Sequence, residues 1–174
     1  MATARAERRL AAILAADVVN YSTLMERDED GTLARLKAHR KDFIEPLVDQ
    51  HQGRIVKLMG DGALVEFASV VDAVRCAVLV QQGMALREAE VPDAERIRFR
   101  IGVNLGDVVL DPDGDLYGDG VNIAARLEQL CDPGAVFVSG TAYDHLSGKL
   151  TDEIEYLGEQ QLKGIERLLR VYRV

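Results

Sequence analysis

The sequence predicts one mixed α/β domain, residues 1–174, in which a βαββαβ core carries a C-terminal αββ extension. Three observations lead to this fold class. A chain of 174 residues is long enough for one domain with a substantial core. Its 48% hydrophobic and 29% charged residues are typical of a globular protein. Apolar segments with strand and helix periodicity alternate at short intervals, without an internal repeat or a linker.

The first half of the chain contains most of the core elements. Leu10–Val19 is an almost continuous apolar run, which is typical of a strand covered on both faces. Apolar residues then recur at helical spacing over residues 33–48, where Pro46 should bend or shorten the helix near its end. Two short strands, Arg54–Met59 and Ala63–Phe67, follow as a hairpin.

The second half completes the core and adds the extension. Ser69 followed by Asp72 is typical of a capping box at a helix start. Arg96–Val103 alternates charged and apolar residues as a half-exposed strand, which completes a ferredoxin-like βαββαβ unit. A short strand at Val108–Leu110 leads into a loop over Asp111–Gly120 that is rich in Gly, Asp and Pro. The remaining predicted elements are a helix over 121–131, a strand over 135–139, a helix over 141–146 and strands over 154–157 and 168–174.

Charge, apolar run length and cysteine content argue against several functions. A net charge of −8 disfavours nonspecific nucleic-acid binding, which depends on clustered Lys and Arg. No apolar run approaches the roughly 20 residues that cross a bilayer. Since the basic segment Met1–Arg9 leads into a strand without a credible cleavage site, we expect a cytoplasmic protein that does not bind membranes. Cys76 and Cys131 are too isolated to form a disulfide framework or a metal-binding pair, and are predicted to be small buried hydrophobic residues.

Two carboxylates occupy positions that structure alone does not fully explain. Asp17 ends the first apolar strand, where a buried carboxylate is costly unless it is paired or binds a metal. Alternatively, it caps the helix that begins near Asn20. Asp61 lies in the hairpin turn, where Asp is common for turn geometry alone. If that hairpin is next to the Asp17 strand, the two carboxylates would repel each other, and a divalent cation would resolve the repulsion.

Polar side chains also lie on the helix after the Gly-rich loop. Ile123, Leu127 and Leu130 fall on one face, which we expect to join the core. Asn122 and Arg126 have i, i+4 spacing and stack on another face. By themselves, they are typical of a solvent-facing pair.

Taken together, three motifs resemble the catalytic domains of class III adenylate and guanylate cyclases. The resemblance extends from Arg9 to Val174, nearly the whole chain, and is strongest to bacterial enzymes with a soluble catalytic domain. The motifs are Asp17–Ser22, Lys57–Gly62 and Asp115–Leu127. The third motif is the most specific, and chance does not readily place it in one chain with the other two. It implies the class III nucleotidyl cyclase fold.

The resemblance implies a role for each matching residue in the first two motifs. Asp17 and Asp61 match the two metal-binding aspartates, which implies two Mg²⁺ or Mn²⁺ ions per active site. Lys57, together with Asp115, matches the residues that read the adenine base of ATP. The segment that matches the family's triphosphate-binding turn and helix start is the backbone of Val18, Val19, Asn20, Tyr21 and Ser22. Backbone N–H groups at a helix N-terminus can donate hydrogen bonds to phosphate, which gives this match a physical basis.

The third motif supplies the pair Asn122 and Arg126, which match the residues that orient the ribose and stabilise the transition state. The implied reaction converts ATP to 3′,5′-cyclic AMP and pyrophosphate, with metal ions lowering the pKa of the ribose 3′-hydroxyl and neutralising phosphates. Arg126 would offset charge on the α-phosphoryl oxygens. In this family the metal residues come from one subunit and the other site residues from its partner. A chain with all six therefore implies a head-to-tail homodimer with two equivalent sites.

Several positions depart from the family pattern. Asn20 and Tyr21 stand where the family commonly has Gly and Phe, although Asn tolerates a left-handed backbone. Asp107 replaces an Arg that contacts phosphate in many relatives. The stretch Leu162–Ile165 lacks a phosphate-binding lysine at its usual place, and Lys163 is the candidate substitute.

Three other functions fit the sequence less well. A guanylate or promiscuous cyclase is disfavoured by the presence of Lys57 with Asp115. A catalytically silent cyclase-like domain that binds nucleotide or dimerises to regulate a partner is disfavoured because all six polar site positions match. A ferredoxin-like nucleic-acid binder needs a basic, aromatic sheet face, which an acidic chain with four Phe, five Tyr and no Trp does not offer.

Overall fold

The computed structural model describes residues 6–146, 148–150 and 152–174. Residues 1–5 of the basic N-terminal segment lie outside the described residues. The first elements are β1 (Glu7–Val18), α1 (Tyr21–Arg27), α2 (Glu29–His39), a π-helical turn (Arg40–Ile44), α3 (Glu45–Gln50), β2 (Gly53–Met59), β3 (Gly62–Phe67) and α4 (Val70–Arg87). They are followed by a 3₁₀ turn (Asp93–Glu95), β4 (Phe99–Leu110), β5 (Leu116–Tyr117), α5 (Asp119–Leu130), β6 (Val136–Ser139), α6 (Gly140–Leu146), β7 (Glu155–Gln161) and β8 (Leu168–Arg173).

One mixed sheet organises these elements in the order β2-β3-β1-β4-β6-β8-β7, with β5 paired to β4. Strands β2, β3, β1 and β4 are antiparallel neighbours and form the predicted ferredoxin-like core. β6 joins β4 in parallel, which requires a crossover through α5. The predicted fold class is therefore confirmed, and the predicted αββ extension is part of a longer series that runs from β5 to β8.

Alternation along β1 assigns its side chains to two separate cores. Ala12 and Leu14 belong to the cluster that packs under α4, whereas Ile13 and Ala15 face the opposite layer with Ala124 of α5. All four are buried, as the continuous apolar run predicted. The same alternation directs Asp17 towards the α5 side of the sheet, and this determines which groups surround it.

The helix predicted over residues 33–48 is interrupted before Pro46. It consists of α2, the π-helical turn and α3, and Pro46 lies in the first turn of α3. Because proline lacks an N–H and its ring clashes with the preceding turn, an interruption here is expected. Further along the chain, Ser69 caps α4: its hydroxyl oxygen accepts a hydrogen bond from the amide of Asp72 at 3.3 Å, as the capping-box pattern predicted.

Two predictions from apolar spacing need correction. Arg96–Val103 and Val108–Leu110 are not separate strands, since β4 runs without a break from Phe99 to Leu110. The core face of α5 includes Ile123 and Leu127 but not Leu130, which is 40% exposed as the last residue of the helix. The adjoining Cys131 is buried there instead.

No helix within the described ranges is long and apolar enough to pass through a bilayer.

A close contact at Gly102 fixes the position of α5 on the sheet. A Cβ on Gly102 would lie 2.5 Å from the carbonyl oxygen of Ala124 and 2.5 Å from the backbone nitrogen of Glu128. Real Cβ atoms do not approach backbone atoms so closely, so only glycine permits this helix–sheet distance.

We therefore expect Gly102→Ala to destabilise the fold by about 1–3 kcal/mol, because the helix must move away from β4. Urea unfolding followed by far-ultraviolet circular dichroism measures the change. Gln82→Ala, on the exposed side of α4, is the control and should change stability by less than about 0.5 kcal/mol. Equal midpoints for Gly102→Ala and wild type would contradict the tight contact.

The two cysteines are buried and reduced, as predicted. Burial raises the pKa of Cys76 to about 12 and that of Cys131 to about 12. The thiolate is the reactive form, and a pKa this high leaves nearly all of both thiols protonated at pH 8. We expect the native protein to resist Ellman's reagent at that pH, to react faster as pH rises, and to release two equivalents when denatured. Rapid labelling of the native protein would show that one of the sites is accessible.

Candidate active site

The β2–β3 hairpin brings Asp61 next to Asp17. Asp17 is in register with Gly62 on β3, and the amide of Val18 donates to the carbonyl oxygen of Asp61 at 3.1 Å. The two-residue turn is possible because Gly60 adopts a φ of 53°. Asp17 does not cap the next helix, whose N-cap residue is Asn20. The two carboxylates thus lie next to each other where β1 ends and β3 begins, as the hairpin interpretation predicted.

Arg100 holds Asp17 in a bidentate ion pair. Its Nε donates to Oδ1 at 3.1 Å and its Nη2 donates to Oδ2 at 2.8 Å. The two residues are Cα partners across β1 and β4, so the sheet register places them face to face. Sequence reasoning missed Arg100, because in the strand pattern it is one of several charged residues on a half-exposed strand.

A third carboxyl group, Glu128 of α5, lies behind this pair. It is only 6% exposed, and the close approach at Gly102 brings its turn of the helix onto the sheet. Burial, and then the neighbouring Asp17, raise the pKa of Glu128 to about 8. Burial also raises the pKa of Asp61, against the hydrogen bond from its own backbone amide, and Asp17 adds to the increase. Sequence analysis did not identify Glu128 as part of the site.

Lys57 and Asp115 form a second polar group. The ammonium Nζ lies 3.3 Å from Oδ2 of Asp115 and 5.9 Å from the centre of the Tyr117 ring. An irregularity between Ile55 and Lys57 interrupts the regular β2–β3 pairing. The amide of Leu116 donates to Oδ1 of Asp115 at 2.8 Å. Although desolvation acts to raise it, the pKa of Asp115 is lowered by this hydrogen bond and by the Lys57 ammonium.

Asn122 and Arg126 lie on the outer face of α5, together with a C-terminal turn. Nη1 of Arg126 donates to Oε1 of Gln129 at 2.9 Å. Its Nη2 lies 3.9 Å from the position that a Cβ on Gly164 would occupy, so the turn that carries Lys163 runs beside the guanidinium. Lys163 is itself exposed.

α5 therefore has two polar faces that point in different directions. Since each helical residue rotates by about 100°, Arg126 and Glu128 lie about 200° apart around the axis. Glu128 contacts the sheet and Asp17, whereas Arg126 faces away from them. Within the described part of the chain, no hydrogen bond or ion pair links Arg126 to the Asp17 or Lys57 group.

The segment between β1 and α1 bends sharply beside the carboxylates. The amide of Val19 donates to the carbonyl oxygen of Arg98 at 2.8 Å, and Asn20 adopts the left-handed conformation with a φ of 52°. The departure from Gly at position 20 is therefore accommodated, as expected for Asn. No side chain caps α1, so the first-turn amides near Tyr21 and Ser22 are not satisfied by a capping group.

Asp107 occupies the position at which many relatives have a phosphate-binding Arg. In the fold of one chain it lies far from Asp17. It pairs with Leu10, whereas Arg100 pairs with Asp17. Seven residues along a strand correspond to about 23 Å. The guanidinium beside the carboxylates is therefore that of Arg100.

The donor set at Asp17 and Asp61 suits a magnesium-like ion that shares its ligands with a substrate. Carboxylate oxygens are hard donors, and Mg²⁺ commonly uses one or two protein carboxylates and completes its shell with water and phosphate. Among residues 6–146, 148–150 and 152–174, no three His, Cys, Asp or Glu side chains are grouped so as to hold a metal by themselves. The site thus fits an ion that arrives with phosphate oxygens.

Comparison with known proteins points to one family. Residues 5–173 match the family model of the adenylate and guanylate cyclase catalytic domain. The fold is similar to that in the crystal structure of Adenylate/Guanylate Cyclase/Hydrolase from Silicibacter pomeroyi, with a TM-score of 0.90. The two sequences are 47% identical, and the match covers 97% of this chain and 98% of that one.

Two curated relatives are longer proteins. "Putative adenylate cyclase 3" of Rhizobium meliloti (strain 1021) is 49% identical over 172 residues, which cover 99% of this chain and 29% of that protein. "Adenylate cyclase" of Streptomyces coelicolor is 33% identical over 132 residues, which cover 76% of this chain and 32% of that protein. The chain thus spans about a third of the length of these relatives or less.

Proposed function

The chain belongs to the family of adenylate and guanylate cyclase catalytic domains, and we propose that it converts ATP to 3′,5′-cyclic AMP and pyrophosphate at two sites shared by a homodimer. In this reaction the ribose 3′-hydroxyl attacks the α-phosphorus, and the bond to pyrophosphate breaks. The observation that carries the choice of ATP is the Lys57–Asp115 pair, because it presents one donor and one acceptor side by side.

The polarity of that pair matches the edge of adenine. The Lys57 ammonium can donate to N1, which is an acceptor in adenine, and the Asp115 carboxylate can accept from the exocyclic amine. Guanine reverses this pattern, since its N1 carries a proton and its exocyclic oxygen accepts. The contact between the Asp115 carboxylate and the Lys57 ammonium holds the acceptor and the donor next to each other, as reading of the adenine edge requires.

Asp17 and Asp61 are the proposed ligands of two Mg²⁺ or Mn²⁺ ions. When bound, such ions supply charge neutralisation for the triphosphate and a lower pKa for the ribose hydroxyl. The two carboxylates themselves share an edge and repel each other, so cations there remove an unfavourable charge interaction. Arg100 adds a guanidinium beside them that can pair with a polyanion. The turn Val18–Ser22 offers backbone N–H donors to the same phosphates.

Arg126 and Asn122 are the proposed transition-state residues. A guanidinium aimed at the α-phosphoryl oxygens would offset their developing charge, and a site with little water makes such a term large. Asn122, one turn earlier on the same face, can hydrogen-bond the ribose. Lys163, on the turn beside Arg126, is the proposed additional phosphate contact.

The opposite faces of α5 support the shared site. Because Glu128 lies against Asp17, the outward Arg126 cannot reach the same chain's carboxylates without turning the helix. A second copy, placed head to tail, would bring its Arg126 to the Asp17 of the first chain. By symmetry, the Arg126 of the first chain would reach the Asp17 of the second. All six residues would then contribute to each of two equivalent sites.

We expect the purified protein to form cyclic AMP from ATP with Mg²⁺ or Mn²⁺, and to use GTP less well. Asp61→Asn should lower turnover at least about hundredfold, because it removes a metal ligand. Asp49→Asn, an exposed carboxylate on α3, is the matched control and should retain activity. Product analysis by liquid chromatography distinguishes the alternatives. Cyclic GMP as the main product would favour a guanylate cyclase, and absence of product with either nucleotide would favour a silent regulatory domain.

Mixing two inactive variants tests whether the sites are shared. Asp61→Asn and Arg126→Ala should each be inactive alone, but an equimolar mixture should regain about a quarter of wild-type activity, since half of randomly formed dimers contain one intact site. The measurement is cyclic AMP production after the variants are mixed and allowed to exchange subunits. Exchange is verified by native mass spectrometry, and an inactive mixture that contains heterodimers would contradict the shared arrangement.

A further inference from the structure

The ion pair between Arg100 and Asp17 uses the oxygens that a metal would need. Both carboxylate oxygens accept from the guanidinium, at 3.1 and 2.8 Å. The pair is built into the sheet, because the two residues face each other in the β1–β4 register. Nη1 of Arg100 also lies 3.5 Å from the carbonyl oxygen of Gln129, near the C-terminus of α5, where a cation is favoured.

The surroundings make this guanidinium the local counter-ion of an acidic cluster. Asp17 and Asp61 interact electrostatically with each other and with Arg100, and the buried carboxyl group of Glu128 lies beside Asp17. Arg100 is the cationic side chain that hydrogen-bonds into this cluster among the described residues. Its side chain is 30% exposed and that of Asp17 is 23% exposed, so the pair is partly shielded from solvent.

We propose that Arg100 acts as an internal counter-ion that competes with divalent cations for Asp17, so that the nucleotide-free protein binds metal weakly and binds it well only together with a polyphosphate. This inference rests on the proposed function and adds to it that metal and nucleotide bind together. A free metal ion must displace the guanidinium and leave it near a second positive charge. A metal that arrives with a triphosphate provides new acceptors for the displaced guanidinium at the same time.

The effect should be measurable without catalysis. Hydrogen bonds to charged groups contribute enough that loss of the competing pair should change metal affinity about tenfold or more. The measurement is Mn²⁺ binding in the absence of nucleotide, by the decrease of the free-ion electron paramagnetic resonance signal. Arg100→Gln should bind Mn²⁺ at least about tenfold more tightly than wild type. Arg100→Lys keeps the charge without the bidentate geometry and should lie between them.

Arg98→Gln is the matched control, because it makes the same change in net charge on a residue whose guanidinium pairs with Asp93 instead. Its affinity for Mn²⁺ should stay within about twofold of wild type, since its charge is largely screened. Circular dichroism and thermal unfolding establish that each variant is folded. If Arg100→Gln does not fold, the comparison of Arg100→Lys with Arg98→Gln still decides the question.

A second arm separates this inference from the proposed metal site. Asp61→Asn should weaken Mn²⁺ binding in both the wild-type and the Arg100→Gln backgrounds. If it does so while Arg100→Gln, Arg100→Lys and wild type bind equally, the counter-ion role is overturned and the metal site stands. If Asp61→Asn changes nothing in either background, the metal site itself is overturned, together with the counter-ion role.

A non-hydrolysable ATP analogue completes the test. Mn²⁺ affinity of wild type should increase more on addition of the analogue than that of Arg100→Gln, once binding of Mn²⁺ by the analogue itself is subtracted. An equal increase in both proteins would overturn the coupling between metal and nucleotide.

Discussion

The pairing of β1 with β3 on one side and β4 on the other is the constraint on which the rest of the structure depends. This register places Asp17 between Gly62 and Arg100, and it places the hairpin turn with Asp61 at the same sheet edge. A slip of one residue would turn the Asp17 side chain to the α4 face, where the largest apolar cluster lies. The apolar residues of β1, buried on both faces, hold the register against such a slip.

α5 is fixed by the same sheet and has two separate tasks. Gly102 allows the helix to approach β4 so closely that Glu128 becomes part of the acidic cluster around Asp17. The opposite face, with Asn122 and Arg126, is thereby directed outwards. The packing that completes the core of one chain therefore also determines which residues of α5 remain on its outer surface, where the proposed homodimer would use them.

The charge distribution explains how an acidic protein could receive a polyphosphate. The net charge of −8 opposes an anionic ligand at long range. In the proposed shared site, however, Arg100 of one chain and Lys57, Arg126 and Lys163 of the other would provide cationic groups. Two of them, Arg100 and Lys57, are already paired with carboxylates in the free protein. Binding would then exchange internal ion pairs for pairs with substrate and metal, a reaction whose cost and gain are both electrostatic.

The sequence by itself determined the features that depend on neighbouring residues in the chain. The Ser69 capping box, the turn around Gly60, the burial of both cysteines and the continuous apolar run of β1 are local properties, and the structure confirms them. The motif resemblance also placed the chain in its family. Only the tertiary structure decided which distant residues meet. Arg100 and Glu128 are ordinary charged residues in the sequence, and Leu130 fits the core pattern of α5 although it is exposed. The reason is that strand register and helix docking bring together residues far apart in the chain, and no local periodicity encodes those contacts.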